Sequence, residues 1–264
     1  MPEIPATAPS RPRPPPRAIE VEHIEDLSPS MRRIRFGGAG LAGIEWRGPA
    51  AHIKLVVPEE GRHQVPLPTP ESPRPPTMRT YTPRRIDAAK PAIEIDFVTH
   101  GHGPAGRWAT RAAVGDQLVM MGPAPGYVID ESAPWYLLLA DDSALPAIET
   151  ILEALPPGMS VRVLVEVTAE AEIRPLPNPG ATVQWLLRGG DRPGEPLAQG
   201  LRALASLPPG DGRVYVGCES AALRHIRKIL RQDFGIPPQR LTTRGYWKLG
   251  AINHTDHDYA EDDD

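Results

Sequence analysis

The apolar residues of this chain change their period partway along, and that change calls for two different kinds of layer. Up to residue 121 they alternate with polar ones in short runs: Ile19-Glu20-Val21-Glu22-His23-Ile24, Met31 to Phe36, His52 to Val57, Ile93-Glu94-Ile95-Asp96-Phe97-Val98, and Gly115 to Met121. Successive side chains of a strand point to opposite faces, so each run has one apolar side and one polar side. Gly and Pro turns separate the runs, which predicts an antiparallel barrel rather than βαβ units. Trp135-Tyr136-Leu137-Leu138-Leu139-Ala140 is instead continuously apolar, as for a strand buried on both faces of a parallel sheet. Behind a cap at Asp141-Asp142-Ser143, Leu145, Ile148, Ile151, Leu152 and Leu155 recur at helical spacing. Alternation of strand and helix continues through Val161 to Val167, Val183 to Leu187, a helix near Leu197 to Leu207, Val214 to Val216, a helix from about Ser220 to Gln232, and a strand near Leu241 to Tyr246. The fold class is therefore β followed by α/β: an antiparallel barrel, then a doubly wound parallel sheet.

At 264 residues the chain exceeds a typical domain of about 100 to 150, and two domains are expected. Residues 1–17, rich in proline with Arg11, Arg13 and Arg17, read as a disordered or polyproline arm. The barrel domain is assigned to 18–130, the α/β domain to 131–250 and an acidic tail to 251–264. The formal charge of −4 includes six acids in that tail and no Lys or Arg, so the rest of the chain stands at +2. A nearly neutral body argues against a nucleic-acid surface and leaves room for a local basic patch. The single cysteine, Cys218, excludes an internal disulfide and suits a reducing compartment. No apolar run approaches the roughly 20 residues needed to cross a bilayer, and the N-terminus lacks the apolar core of a signal peptide. A cytoplasmic location without stable membrane association is expected, and a monomer.

Arg79-Thr80-Tyr81-Thr82-Pro83-Arg84 carries the strongest chemical signal. On one strand, Arg79, Tyr81 and Pro83 share a side. Guanidinium matches phosphate oxygens bidentately, and a tyrosine ring accepts another flat ring, so a ligand with a pyrophosphate and an aromatic head is called for, FAD being the obvious candidate. Further on, the glycines of His100-Gly101-His102-Gly103 precede a helix opened by Pro104, whose exposed amides suit a diphosphate. His100 and His102 lack the Cys or Glu spacing of a metal site, and His254-Thr255-Asp256-His257-Asp258 reads as a solvated tail. Ligands of a doubly wound sheet belong at the carboxyl ends of its strands, here Asp141, Asp142, Ser143, Glu166 and Cys218-Glu219. Glu166 stands where an acid commonly accepts from an NAD ribose; no GxGxxG fingerprint is present, and acids at 141–142 repel a diphosphate. The loop 58–77, with many prolines and Arg62, His63 and Arg74, either helps to build the site or is a surface connection.

The chain resembles the siderophore-interacting proteins, ferric-siderophore reductases of the ferredoxin-NADP reductase-like flavoproteins. The resemblance is carried by Arg79 to Arg84, by Ile95-Asp96-Phe97-Val98 with His100-Gly101, by Gly103-Pro104-Ala105 with Arg107-Trp108-Ala109, and by Gly115-Asp116 and Gly122-Pro123. Trp135 to Leu138, Ala144 to Ile148 and Gly245-Tyr246-Trp247-Lys248 extend it across roughly residues 18 to 250. It implies a six-stranded FAD barrel and an α/β domain for the electron donor, which is NADH, NADPH or reduced ferredoxin. It places Arg79, Tyr81, Thr82, Asp96, Val98, His100, Ala105, Arg107 and Trp108 at the cofactor, with His100 along its ribityl-phosphate portion, and Thr82, on the strand face opposite Tyr81, is positioned to hydrogen-bond near flavin N5. Asp141, Asp142 and Ser143 match the family's Asp-Glu-Thr and fall at the domain interface near the isoalloxazine, with Ala144 also at the cofactor, and Trp247 approaches the flavin region. Lys248-Leu249 stands where many relatives carry two arginines, which weighs against NADPH. The substrate implied is a ferric siderophore, often anionic, so a basic pocket is expected from Lys54, Arg62, Arg85, Arg244 and Lys248. Oxygen chelators hold Fe(III) strongly and Fe(II) weakly, so one electron loosens the metal and no permanent metal site is required. Alternatives are a flavin or quinone reductase on the same scaffold and a non-catalytic siderophore-binding or iron-handling protein.

Overall fold

The computed structural model describes residues 15–69, 71–73, 78–87, 89–99, 103–178 and 180–251. Its first half is an antiparallel sheet of seven strands: β1 (Arg17–Ser28), β2 (Met31–Gly37), β3 (His52–Val56), β4 (Met78–Tyr81), β5 (Pro83–Asp87), β6 (Ala92–Val98) and β7 (Gln117–Ala124). The spatial order is β4-β3-β7-β1-β2-β6-β5. Its two outer strands, β4 and β5, are consecutive in the chain and separated by Thr82 alone. The sheet therefore closes on itself through one residue, and the count of seven against the six expected arises because Thr82 divides one bent strand in two. The break has a physical cause: the chain must leave β3 and join β6 at this corner, and Pro83 has no N–H for the ladder.

Alternation fills the barrel as its sequence dictates. Ile19, Val21, Ile34, Phe36, Ile53, Leu55, Ile93, Ile95, Phe97, Leu118 and Met120 form one buried cluster. Helix α1 (Pro104–Arg111) closes it by inserting Ala105, Trp108 and Ala109.

The second half contains β8 (Trp135–Asp141), α2 (Leu145–Ala154), β9 (Ser160–Val167), β10 (Thr182–Leu187), α3 (Glu195–Arg202), β11 (Arg213–Glu219), α4 (Ser220–Gln232) and β12 (Leu241–Trp247). The strands are parallel, in the order β10-β9-β8-β11-β12. All seven residues of β8 are buried. Tyr136, Leu138 and Ala140 pack with α2 on one face, and Trp135, Leu137 and Leu139 pack with α3 and α4 on the other. This explains the unbroken apolar run. The helix expected over 197–207 ends at Arg202, because the chain turns at Ala205 (φ +54°) ahead of Pro208-Pro209. No described helix is long and apolar enough to cross a membrane.

The halves are pinned together next to the motif strand. Arg84, buried on β5, donates to Glu149 of α2 at 2.7 Å and to Glu153 at 2.6 and 2.8 Å, while Arg174 also donates to Glu149. The Ala50 amide donates to Thr150 Oγ1 (2.9 Å), and Glu172 accepts from Ser28 and from the Ser30 amide.

Candidate functional site

Arg79 and Tyr81 lie two residues apart on β4 and so share a face. Arg79 is half-buried, donates to the Met78 carbonyl (2.8 Å), and burial holds its pKa below the ordinary arginine value. Tyr81 packs on Phe97 with ring centroids 4.5 Å apart, and Phe97 packs in turn on Trp108 at 5.5 Å. Burial pushes the Tyr81 phenol up, opposed by the charge of Arg79. A guanidinium penalised by burial and a tyrosine backed by fixed aromatics fit a phosphate anion and a planar ring. The residues present therefore suit FAD.

Other side chains expected at the cofactor are committed elsewhere. Asp96 takes two hydrogen bonds from Arg33, at 2.7 and 2.8 Å, inside the barrel wall. Ala105 and Trp108 face the core, and the buried Trp108 Nε1 has no partner among the described residues. Arg107 is exposed on the outer side of α1. Val98 ends β6, and its carbonyl faces Gly106 so closely that a Cβ there would meet it at 3.2 Å. His100 and His102 lie outside the described residues, as do Arg74, most of the N-terminal arm and the tail from 252 onward.

From Tyr81 and Thr82 a cleft opens between the two halves. Ala50, His52 and Thr80 line it from the barrel, and Tyr215, Arg244 and Tyr246 line it from the parallel sheet. Thr82, 6% exposed, places Oγ1 3.5 Å from the Tyr246 hydroxyl, which lies 3.2 Å from that of Tyr215. Glycine at 217 makes this possible, since a Cβ there would meet the Tyr246 ring at 2.9 Å and the Ala144 Cβ at 2.7 Å. Thus Ala144 packs under the cleft. His52 is half-buried, and burial, then the charges of Arg244 and Lys54, hold its imidazole below the usual pKa.

The five expected cations do not form one pocket. Lys54 and Arg244 converge around His52, and exposed Lys248 follows two residues after Tyr246. Arg62 belongs to the opposite end of the barrel: its neighbour His63 accepts the Gln117 amide through its carbonyl, at the start of β7, whereas His52 pairs with Ala124 at the end of that strand. Arg85 lies in a separate groove with Arg35, Trp46 and Glu94. The β5–β6 register shifts between Pro83 and Arg85, and while Arg84 is buried against α2, Arg85 is exposed beside it in the same groove. The loop before the motif is thus tied, through His63 and Asp116 (2.7 Å), to the barrel end remote from the cleft.

The acids at the carboxyl ends of the sheet work mostly as internal acceptors. Asp141 accepts from the Ser143 amide (3.0 Å) and hydroxyl (2.5 Å), the Glu219 amide (3.0 Å) and Trp247 Nε1 (2.8 Å). It ties β8, β11 and β12 together and fixes the Trp247 indole. Glu219 caps α4 through the amides of Ala221 and Ala222 and accepts from that of Leu249. The expectation that Glu166 meets a ribose is overturned: it is 1% exposed, and both oxygens accept from the Gly194 amide at the start of α3. Burial, aided by Asp141, raises the Glu166 pKa to about 7, against the Gly194 bond. Asp142 is likewise raised to about 7, by burial and then by Asp141 and Glu172. Cys218 is buried, with its thiol pKa pushed up. Among the described residues no cluster of three or more His, Cys, Asp or Glu is arranged to hold a metal ion.

Sequence reasoning gave no role to His52, Tyr215 or Tyr246. His52 carries a signal, since it shares a strand face with Lys54. The tyrosines are brought in only by the register of β11 and β12.

Comparison with known proteins agrees with this geometry. The family model for the siderophore-interacting FAD-binding domain matches residues 20–127, and that for the siderophore-interacting protein matches 133–250. A crystal structure of a siderophore utilization protein from T. fusca is 37% identical with a TM-score of 0.80, covering 93% of this chain and 99% of that one. The ferric vibriobactin reductase of Vibrio cholerae is 30% identical across 92% of this chain and 93% of its own length. The NADPH-dependent ferric-chelate reductase of Escherichia coli is 31% identical across 88% and 92%.

Proposed function

Because the chain belongs to the siderophore-interacting protein family, we propose that it is an FAD-dependent reductase of ferric siderophores. The observation that carries this reading is the cleft itself, where the Arg79-Tyr81-Thr82 strand meets cations from both halves of the molecule. FAD, when bound, supplies a hydride acceptor that can pass electrons on singly. Residues 18–130 hold it: Arg79 takes phosphate, Tyr81 supports the ring system, and Thr82 offers a hydroxyl at the cleft. Residues 131–250 receive the electron donor, with Asp141 holding Trp247 in place beside that surface.

NADPH or NADH is the donor favoured, in line with the name of the E. coli relative; reduced ferredoxin is the competing source. Lys54, Arg244 and Lys248 attract an anionic ferric chelate to the cleft mouth. Once reduced, the iron is held weakly by hydroxamate or catecholate oxygens and leaves. The reaction is assigned to a monomer in the cytoplasm.

The test is anaerobic. The purified yellow protein is mixed in parallel with NADH, NADPH and reduced ferredoxin, then with hydroxamate and catecholate Fe(III) complexes and a ferrous trap. Bleaching by one donor followed by trapped Fe(II) is expected. Bleaching without ferrous iron leaves a flavin or quinone reductase on the same scaffold and removes the substrate assignment.

A further inference from the structure

Resting on the reductase reading above, we propose that His52 is a substrate-recognition group that takes up a proton when an anionic ferric chelate settles against Lys54 and Arg244. His52 opens β3 and lines the cleft, with Lys54 two residues along on the same strand face. Arg244 approaches from β12 of the other domain. Among the described residues, the remaining titratable groups lining the cleft are the phenols of Tyr81 on β4, Tyr215 on β11 and Tyr246 on β12, and no carboxylate lines it. No hydrogen bond joins the imidazole to another described residue, and His52 lines the cleft.

The cleft therefore presents partial burial and a positive field, both of which favour the neutral ring. A bound anion reverses the sign of that field. The ring then gains a solvent proton and becomes an N–H donor to the chelate's oxygens, with no electron moved. Affinity for charged chelates rises as pH falls, while affinity for neutral ones does not. His52 thus sets a preference between substrate classes.

Redox-inert gallium(III) complexes test this on the FAD-loaded protein. Trianionic gallium tris-catecholate and neutral gallium tris-hydroxamate are titrated calorimetrically from about pH 6 to 8, in buffers of different ionisation enthalpy. Expected for the catecholate is net uptake approaching one proton, with affinity changing by up to about tenfold per pH unit. The hydroxamate takes up none. His52→Gln binds the catecholate with no proton uptake and loses the pH dependence that wild type shows. Catecholate binding without proton uptake by the wild-type protein overturns the proposal and leaves the reductase reading intact, whether or not the variant folds. So does an unchanged slope in the variant. Failure of both complexes to bind at any pH removes the proposal together with the substrate assignment.

Discussion

Replacing Arg84 by alanine separates two roles open to the second arginine of the motif, holding cofactor or pinning the domains. Arg84 is 5% exposed, and its guanidinium engages Glu149 and Glu153 through three hydrogen bonds of 2.6 to 2.8 Å. Removing one partner of a buried ion pair costs about 3–5 kcal/mol, because the other charge stays behind in a poor solvent. Here Glu149 retains Arg174, and the Glu153 side chain is 41% exposed and regains water. The loss should therefore sit near the lower end, about 3 kcal/mol. With a urea slope of about 3 kcal/mol per molar, the unfolding midpoint falls by about 1 M. FAD content per folded molecule stays close to wild type, since Arg84 points at α2. An Arg84→Ala protein that loses FAD while keeping its urea midpoint would refute this assignment.

Arg79→Ala should lose most of its FAD on purification, with Arg79→Lys intermediate because an ammonium lacks the bidentate fork; full flavin absorbance in Arg79→Ala contradicts the site. Lys54→Ala and Arg244→Ala should each weaken an anionic ferric chelate by about tenfold at low salt, roughly 1.4 kcal/mol. Arg62→Ala, at the remote barrel end, should change it little, and equal effects from all three would disperse the proposed pocket. Glu166 has its pKa raised from 4.5 to about 7, so the folded protein holds a proton there that the unfolded chain has released. Its contribution is full below about pH 4.5 and lost as pH rises toward 7. Thermal melts of Glu166→Gln should show a flatter decline across that window, and a curve parallel to wild type argues against the buried acid.

What the sequence disclosed followed from faces with a single environment. Ile93 to Val98 alternates because one side meets the barrel core, and Trp135 to Ala140 does not because helices cover both sides. The division of one bent strand at Thr82 was visible only as a proline, which marks a ladder irregularity without stating that the sheet closes there. The roles of acids were least legible. An acid ending a parallel strand resembles a ribose acceptor, yet Glu166 meets the amide of Gly194, 28 residues onward. Likewise Asp141 reads as a helix cap, and only the register of three strands brings it Trp247 and the Glu219 amide. The cleft combines His52 and Lys54, adjacent on one face, with Tyr215, Arg244 and Tyr246, whose approach depends on how two separately folded layers meet. Cations scattered in sequence gave type without place, so Arg62 and Arg85 were grouped with residues they never approach.

The most direct test of the cleft as the place where electrons reach the ferric chelate is a crystal structure of the FAD-bound protein with the gallium tris-catecholate. The metal complex should lie at the domain junction against Lys54 and Arg244, with the flavin ring on Tyr81 and its edge toward Thr82. A complex seated in the groove of Arg85 and Trp46, or a flavin ring remote from Tyr81, would contradict the assignment at its centre.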